Sequence, residues 1–450
     1  MCTSHATDVI LHAFDWPYAL VEQRARQIQQ AGYKYVLVSP PMKSLKSEQG
    51  TKWWQRYQPQ DYRVIDNQLG NLQQFKSMLN TLKSSGVGVY ADVVFNHMAN
   101  ESAVRSDLQY PSQTELSDYQ AENDYYQNQC LFGDLSKPLF DHDDFVEAFG
   151  IEDWEDRWQV QNGRITGGPS DPGLPTLRVC SHVVEQQQCY LKALKTLGVQ
   201  GFRIDAAKHM TLEHLKQVWT DEICQDIHIF GEIITSGGAT KPEYELFLEP
   251  YLAQTKLGAY DFPLFQTLHD ALQTKGSLKS LVDPYCFGQA LSETRAITFA
   301  ITHDIPNNDV FANLVMTEAQ EWLAYSYLLG RDGGVPLIYT DLDTSGIVDK
   351  SKQPRWLNAW NDSKMIAAID FHNRMHSKPM KVVEASDDLL VFARGEDGMV
   401  VINKSVRAQT VELNSDLTWK DRLSSQQYKS DKGSCIVEVA AQSAQMLVAS

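Results

Sequence analysis

Gly201-Phe202-Arg203-Ile204-Asp205 places charged side chains at the end of an apolar run that begins at Val199. Apart from Gln200 and Arg203, this run is apolar on both faces, which is typical of a strand buried in a parallel sheet. Charges are costly to bury, so we expect Arg203 and Asp205 where the strand opens to a ligand. Residues two apart in a strand point to the same face, and these two side chains are therefore predicted to lie together.

Three further apolar runs end in polar residues in the same way. They lead into Asp92 to His97, Phe230-Gly231-Glu232 and Thr302-His303-Asp304. The carboxyl ends of the strands of a (β/α)8 barrel meet at one face of the barrel. We therefore expect all four polar groups to converge at that face and to form one site.

The spacing of the apolar runs also favours a barrel. The segment from Leu72 to Leu82 has its apolar residues on one helical face and is followed by Gly86, a helix stop signal. An open doubly wound sheet is the alternative, but eight strands with intervening helices fit a closed barrel better. The eight strand candidates are Val9 to Phe14, Tyr35 to Val38, Val87 to Val94, Val199 to Ile204, Ile227 to Ile234, Ala259 to Leu264, Ala296 to Ile301 and Val335 to Tyr339.

Two departures from barrel spacing predict additional domains. A long segment between the third and fourth strands, residues 98–192, is assigned to an irregular inserted domain and to most of a connecting helix, which runs from about Cys180 to Leu197. The barrel then comprises residues 1–97 and 193–376. Residues 377–450 are predicted to form an antiparallel β-sandwich, because short strands alternate with turn signals there. Its strand candidates are Leu389 to Ala393, Met399 to Ile402 and Cys435 to Val439.

Composition and charge restrict the classes of partner. The hydrophobic content of 43% and the charged content of 22% are ordinary for a globular protein. The longest apolar runs are too short to cross a membrane, so no transmembrane span is expected. The net charge of -17 argues against a nucleic-acid partner and suits a neutral substrate. We expect a monomer.

The cysteines and the first residues leave two locations open. The seven cysteines show no CxxC pair and no zinc-site spacing. The start, Met1-Cys2-Thr3-Ser4-His5, lacks an apolar signal core. The protein is then either cytoplasmic, or a secreted, periplasmic or outer-surface protein whose signal was removed, with Cys2 as a candidate lipid anchor. In the second case the six other cysteines are candidates for disulfides.

Taken in order, these motifs resemble those of the α-amylase family of glycoside hydrolases. The run from Gly201 to Met210 is highly specific, and the other three motifs stand in the family's order around it. Trp53 to Pro59 resembles the sugar-binding segment of animal-type members, whereas Val335 to Tyr339 resembles bacterial ones. The resemblance extends from Ile10 to about Tyr339. It implies retaining endo-hydrolysis of α-1,4-glucosidic bonds in starch, glycogen or maltooligosaccharides.

The resemblance assigns the catalytic roles to three carboxyl groups. It implies that Asp205 is the nucleophile, that Glu232 is the general acid/base and that Asp304 binds sugar hydroxyls. Two carboxyl groups about 5–5.5 Å apart perform such a double displacement with retention of configuration. Arg203 is expected to keep Asp205 ionised. The like charges of Asp205 and Asp304 are expected to raise the pKa of Glu232.

Other side chains are expected to contact the sugar chain or to support the site. The histidines and Lys208 would donate hydrogen bonds, the aromatic residues would stack on sugar faces, and Asp92 would support the site from below. Each residue type alone is more often structural, since an Arg-x-Asp pair is usually an ion pair and tryptophans are usually core. The candidate substrate contacts are Trp53, Trp54, Tyr57, Gln58, His97, Arg203, Lys208, His209 and His303.

The ion sites of the family match only in part. The resemblance implies a calcium ion bound by Asn96 and by the carbonyl of His209, but Thr176 stands where the family has an Asp. Losing a carboxylate should weaken calcium binding, although Asp171 could replace it if the loop is rearranged. Chloride activation is not expected. Arg203 matches, but Thr302 stands at the Asn position and the segment after Gly334 offers no basic residue.

Two rival functions stay open at this point. A transglycosylase or a maltooligosaccharide-forming relative would carry the same three carboxyl groups and differ in loops and aromatic subsites. A non-catalytic glucan-binding protein on the same barrel would be expected to lack a catalytic carboxylate, whereas Asp205, Glu232 and Asp304 are all present. Product analysis separates the first rival from a hydrolase.

Overall fold

A closed barrel of eight parallel strands forms the centre of the molecule. The computed structural model describes residues 9–46, 52–168, 170–311, 313–340 and 346–450. Each strand pairs with its neighbours in the chain, and the last pairs with the first, which confirms the predicted (β/α)8 barrel. The strands are β1 Ile10–Ala13, β2 Tyr35–Val38, β3 Gly88–Val94, β4 Gly201–Asp205, β5 His228–Gly231, β6 Gly258–Tyr260, β7 Ala296–Thr298 and β8 Val335–Thr340.

Helices connect the strands and cover the outside of the barrel. The helix predicted from Leu72 spans Leu72–Ser84; the side chain of Asn71 caps its first turn, and Gly86 follows at φ +73°. Within the described residues, no helix has the length and apolar character needed to cross a membrane. The α-helices are Tyr18–Gln30, Leu72–Ser84, Gln113–Ala121, Asn123–Gln129, Arg157–Asn162, Ser181–Leu197, Leu212–Val218, Asp221–Cys224, Glu249–Gln254, Phe262–Leu272, Asp304–Asn307, Glu318–Gly330 and Ser363–Met375.

The sixth strand is shorter than the apolar run that predicted it. The candidate Ala259 to Leu264 leaves the sheet after Tyr260, and a helix begins at Phe262. The Asp261 carboxylate accepts a hydrogen bond of 2.9 Å from the backbone N–H of Leu264 and so caps this helix. Pro263 lies in the first helical turn, where a missing N–H costs nothing. Both elements are apolar because both are buried, so hydrophobicity alone could not locate the boundary.

The segment between β3 and helix Ser181–Leu197 is irregular, as expected for an insertion. It contains short helices and isolated bridges. Its two ends are joined beside the barrel, where Met98 N–H donates to the Pro175 carbonyl at 3.0 Å and Leu177 N–H donates to the Asn96 carbonyl at 2.9 Å. The loop after β3 is therefore held by residues 175–177, where the chain returns from the insertion to the barrel. The domain boundaries assigned from the sequence stay predictions.

The C-terminal region forms two antiparallel sheets with an apolar layer between them, which confirms the predicted sandwich. One sheet has the order β9-β10-β11-β16-β13-β14, and β12 pairs with β15. The strands are β9 Met380–Ala385, β10 Leu389–Arg394, β11 Gly398–Asn403, β12 Gln409–Asn414, β13 Trp419–Asp421, β14 Gln427–Tyr428, β15 Ser434–Val439 and β16 Ser443–Ala449. The side of the larger sheet that faces away from this layer packs into the main core through Leu390, Phe392, Val400 and Met446.

Two cations of the C-terminal region bind the carboxyl ends of helices in the barrel. Arg394 donates to the carbonyls of Gly330 at 2.6 Å, Arg331 at 2.5 Å and Met375 at 2.7 Å. Lys404 binds in the same way at the end of helix Phe262–Leu272, with its Nζ 3.0 Å from the Ala271 carbonyl. The last carbonyls of a helix have no partner within the helix and carry partial negative charge. These cations therefore fix the sandwich to the barrel.

Replacing Arg394 by Met should lower the free energy of unfolding by about 2–4 kcal/mol, because three buried carbonyls lose a charged donor. Arg407 is exposed, and Arg407→Met should change stability by less than about 0.5 kcal/mol. Urea unfolding followed by circular dichroism measures both. Equal stabilities for the two variants would show that Arg394 does not fix the sandwich to the barrel.

Candidate active site

Arg203 lies at the centre of a cluster of carboxyl groups at the C-terminal face of the barrel. Its guanidinium is fully buried, with Nη1 2.7 Å from Asp92 Oδ2 and 2.9 Å from Asp205 Oδ1, and Nη2 in contact with Glu232 Oε1. The parallel pairing puts Asp92 on β3 beside Arg203 on β4. Glu232 directly follows β5. The structure thus brings together the residues at the ends of three neighbouring strands.

Asp304 joins this cluster from the start of helix Asp304–Asn307, which follows β7. One carboxylate oxygen of Glu232, one of Asp304 and a ring nitrogen of His303 all lie within 4.8 Å of one another. His303 Nε2 is 3.6 Å from Asp304 Oδ2. Ala206, directly after Asp205, adopts the left-handed conformation at φ 48°, and its N–H donates to Glu232 Oε2 at 3.1 Å. Such backbone strain is found mainly where the surroundings enforce it, often at functional sites.

Burial is the largest cause of the pKa shifts of the carboxyl groups in the cluster. It raises the pKa of Asp92 to about 8, and the pKa values of Asp205 and Glu232 to about 7 each, while Arg203 opposes the rise in every case. Arg203 was expected to keep Asp205 ionised, but burial outweighs it. Asp304 adds to the rise in the pKa of Glu232, as expected, although burial is the larger cause. These carboxyl groups therefore hold protons more readily near neutral pH than exposed carboxyl groups do.

Aromatic rings form the wall beside Asp304. The His303 ring is stacked between Phe14 and Tyr57, with centroids 4.4 Å and 5.5 Å away, and Trp53 meets it edge-on at 5.3 Å. Burial lowers the pKa of His303 to about 3, so this ring is neutral at physiological pH. The Tyr57 hydroxyl donates to Asp92 Oδ2 at 3.0 Å. Trp54 is 41% exposed and so is more open to solvent than the rings of this wall.

His97 and Gln58 hold the segment that carries Tyr57. His97 Nε2 donates to the Tyr57 carbonyl at 2.9 Å, and its Nδ1 lies 3.3 Å from Asn96 Nδ2. Gln58 Oε1 accepts from the Asn100 N–H at 2.9 Å. Since these polar atoms already have protein partners, His97 and Gln58 are placed to position the aromatic wall.

Lys208 and His209 connect the site to neighbouring segments. Lys208 Nζ lies 2.7 Å from Glu243 Oε1, and the Lys208 N–H donates to the Glu232 carbonyl at 3.1 Å. His209 Nδ1 lies 2.9 Å from the Val160 carbonyl, which belongs to the insertion. Sequence reasoning missed Glu243, because nothing in its polar surroundings distinguishes it from a solvated residue.

Asn96 and His209 line one cavity of about 220 Å³ at the base of the insertion. Glu213 supplies the one carboxylate among the described lining residues, and the cationic side chain of Arg178 also lines the cavity. The Thr176 hydroxyl donates to the Gly163 carbonyl at 2.9 Å. Asp171, the expected substitute ligand, instead accepts from Asn100 Nδ2 at 2.7 Å and does not line the cavity. Calcium prefers several anionic oxygens, so this donor set is a poor match for tight binding.

Comparisons with known proteins find similar sequences over most of this chain. Residues 21–257 match the family described as alpha amylase, catalytic domain. The chain is 48% identical over 419 residues to an alpha-amylase of Aeromonas hydrophila, a match that covers 92% of this chain and 89% of the relative. It is 26% identical to an alpha-amylase of Clostridium acetobutylicum, over 92% of this chain and 49% of the relative.

Solved structures share the fold at lower sequence identity. Alpha-amylase I from Eisenia fetida superposes with a TM-score of 0.76 at 20% identity, covering 98% of this chain and 97% of that chain. A cyclomaltodextrin glucanotransferase superposes with a TM-score of 0.69 at 18% identity, covering 98% and 99%. Hydrolases and a transferase thus share this architecture.

Asp92→Asn should make stability less dependent on pH. A pKa of about 8 in the folded state, against 3.8 for an ordinary Asp, means that the folded protein retains a proton that the unfolded chain loses. The stabilisation from this proton is complete below pH 4 and disappears as the pH rises to 8. Melting temperatures between pH 5 and pH 8.5 should therefore fall less steeply in Asp92→Asn than in the wild type. The exposed control Asp416→Asn should follow the wild type, and parallel curves for all three would contradict the assignment.

Proposed function

Because this chain belongs to the α-amylase family of glycoside hydrolases, we infer that it hydrolyses α-1,4-glucosidic bonds within starch, glycogen or maltooligosaccharides, with retention of configuration. The observation that carries this inference is the set of carboxyl groups gathered around buried Arg203 at the C-terminal face of the barrel. This is the face where barrel enzymes place their chemistry. A net charge of -17 suits a neutral polysaccharide.

In the first half of the proposed reaction, Asp205 in its ionised form attacks the anomeric carbon while protonated Glu232 donates its proton to the departing glycosidic oxygen. A bond forms between the sugar and Asp205, and the glycosidic C–O bond breaks. Arg203 lies against both carboxyl groups and offsets the negative charge that remains. The pKa of about 7 lets Glu232 hold a proton close to neutral pH.

In the second half, Glu232 removes a proton from water, and the resulting nucleophile displaces Asp205 from the sugar. Two displacements at one carbon restore its configuration. Asp304, beside Glu232 and His303, is assigned to the hydroxyl groups of the same sugar. Trp53 and the stacked rings of His303 and Tyr57 form the apolar wall against which the ring packs.

Calcium and chloride have minor roles in the proposed function. The cavity lined by Asn96 and His209 would hold calcium weakly, with a structural effect on the base of the insertion. An anion gains little near Arg203, because that guanidinium already pairs with carboxylates. The proposed lipid anchor, Cys2, lies outside the described residues, and secretion and the monomeric state stay predictions. Among the described cysteines, Cys130, Cys180, Cys189, Cys286 and Cys435 carry free thiols in this structure.

Glu232→Gln should reduce the turnover of soluble starch and maltoheptaose by at least about 10²–10⁴-fold, because the leaving oxygen loses its proton donor. The matched control is Glu245→Gln, an exposed residue of the neighbouring segment, which should retain wild-type turnover. Time-resolved chromatography with anomeric analysis by NMR measures the products. The wild type should release a mixed ladder of α-anomers.

Products longer than the substrate would instead identify a transglycosylase, and a single short product would identify a maltooligosaccharide-forming enzyme. Binding of maltoheptaose without any turnover by the wild type would identify a glucan-binding protein. Full activity in Glu232→Gln would overturn its assignment as the general acid.

Thr176→Asp should strengthen calcium binding at least about tenfold over a wild-type dissociation constant of about 10⁻⁴–10⁻³ M, because it restores the carboxylate that the family has there. Titration calorimetry with calcium acetate after dialysis against EDTA measures both constants. Thr196→Asp adds the same charge at an exposed helix position and should leave calcium binding unchanged. Tight binding by the wild type would contradict the weak-site proposal.

A further inference from the structure

Two exposed tryptophans stand on the insertion beside His209. Trp154 is 48% exposed and Trp158 is 63% exposed, whereas large aromatic side chains are normally mostly buried. The Trp158 ring is stacked on Phe149, with centroids 5.1 Å apart and planes 3° from parallel. Phe149 covers one face of this indole and the ring remains largely open to solvent. We call Trp158 with Phe149 the aromatic platform.

The backbone around the aromatic platform is fixed by side-chain hydrogen bonds. The Asp156 carboxylate caps helix Arg157–Asn162 by accepting from the N–H groups of Trp158 at 2.9 Å and Gln159 at 3.2 Å. Gln159 Oε1 then accepts from the N–H groups of Glu152 at 3.1 Å and Asp153 at 3.2 Å. The loop with Trp154 and the helix with Trp158 are thus one unit. A preorganised surface loses little conformational entropy when it binds a ligand.

This unit is joined directly to the proposed active site. The Val160 carbonyl of the same helix binds His209 Nδ1 at 2.9 Å, and Gln161 Nε2 donates to the Met210 carbonyl at 3.1 Å. The Trp154 ring meets the His209 ring edge-on at 5.9 Å. Trp154 is thus the exposed ring next to His209, and the aromatic platform belongs to the same hydrogen-bonded unit.

The chemistry of the surface suits a neutral sugar chain. The rings of a glucan present C–H groups that pack on an indole face, and their hydroxyl groups reach outward to polar neighbours. Glu152, Asp153 and Glu155 surround the tryptophans with negative charge, which disfavours nucleic acid and other anionic ligands.

We propose that the aromatic platform binds a long α-glucan outside the catalytic cleft. This inference rests on the proposed function for the class of ligand. The aromatic platform would make the enzyme favour long substrates over short ones, because it would contact sugar units beyond those held at the carboxyl groups.

The test compares long and short substrates in Trp158→Ala. We expect KM for soluble starch to rise about 3- to 10-fold, the loss of one stacking contact, while kcat/KM for maltotriose changes less than about twofold. Trp158→Phe keeps a ring on Phe149 and should recover most of the starch affinity. Tyr125→Ala removes another exposed aromatic ring of the insertion and should leave both KM values unchanged. Thermal unfolding of each variant verifies that it is folded.

Binding without turnover separates this inference from the proposed function. In the Glu232→Gln background, affinity electrophoresis through gels with soluble starch should show weaker retardation when Trp158→Ala is added. That result would support the aromatic platform even if the wild type proved not to hydrolyse starch. Unchanged retardation together with an unchanged KM for starch would overturn the inference and leave the proposed function intact. An equal loss on maltotriose and starch would also overturn it.

Discussion

The buried charge of Arg203 is the constraint from which the rest of the site follows. A guanidinium taken out of water is stable only when anionic partners and hydrogen-bond acceptors surround it. β3, β4 and the end of β5 each supply one such partner, namely Asp92, Asp205 and Glu232. Pairing with Arg203 thus requires both the register of these three parallel strands and the carboxyl residues that they carry. The same arrangement crowds carboxyl groups in a poorly solvated space, which is why their pKa values rise towards neutrality.

Segments outside the barrel strands complete the site and hold the domains together. The loop of Trp53 and Tyr57 reaches over the face and is held there by His97. The insertion reaches His209 through the Val160 carbonyl. At the C-terminal end of the chain, the sandwich binds three helix ends of the barrel through Arg394 and Lys404. Each addition uses a charged or polar side chain to bind carbonyl groups that would otherwise lack partners.

Much of the barrel and of the carboxyl cluster could be predicted, because charged residues that follow a buried parallel strand indicate the carboxyl edge of the sheet, where barrels open to a ligand. The end of β6 could not, since Asp261 and Pro263 start a helix inside an apolar run. The acidity of Asp205 was also misjudged, because the degree of burial depends on packing that the local sequence does not contain. Trp154, Trp158 and Glu243 were missed for a related reason. Their significance comes from their position relative to His209 and Lys208, and the irregular insertion has no periodic pattern from which to derive that position.

The closure of the barrel has a consequence for how the chain is made. β1 pairs with β8, so Ile10 meets Leu337 only after more than two thirds of the sequence has left the ribosome. Until then β1 has an unpaired edge that can join another nascent chain. Long-range contacts of this kind slow folding and prolong the exposure of apolar strands. A chain released before residue 335 would lack β8 and keep two open edges, one on β1 and one on β7, where a second incomplete barrel could pair.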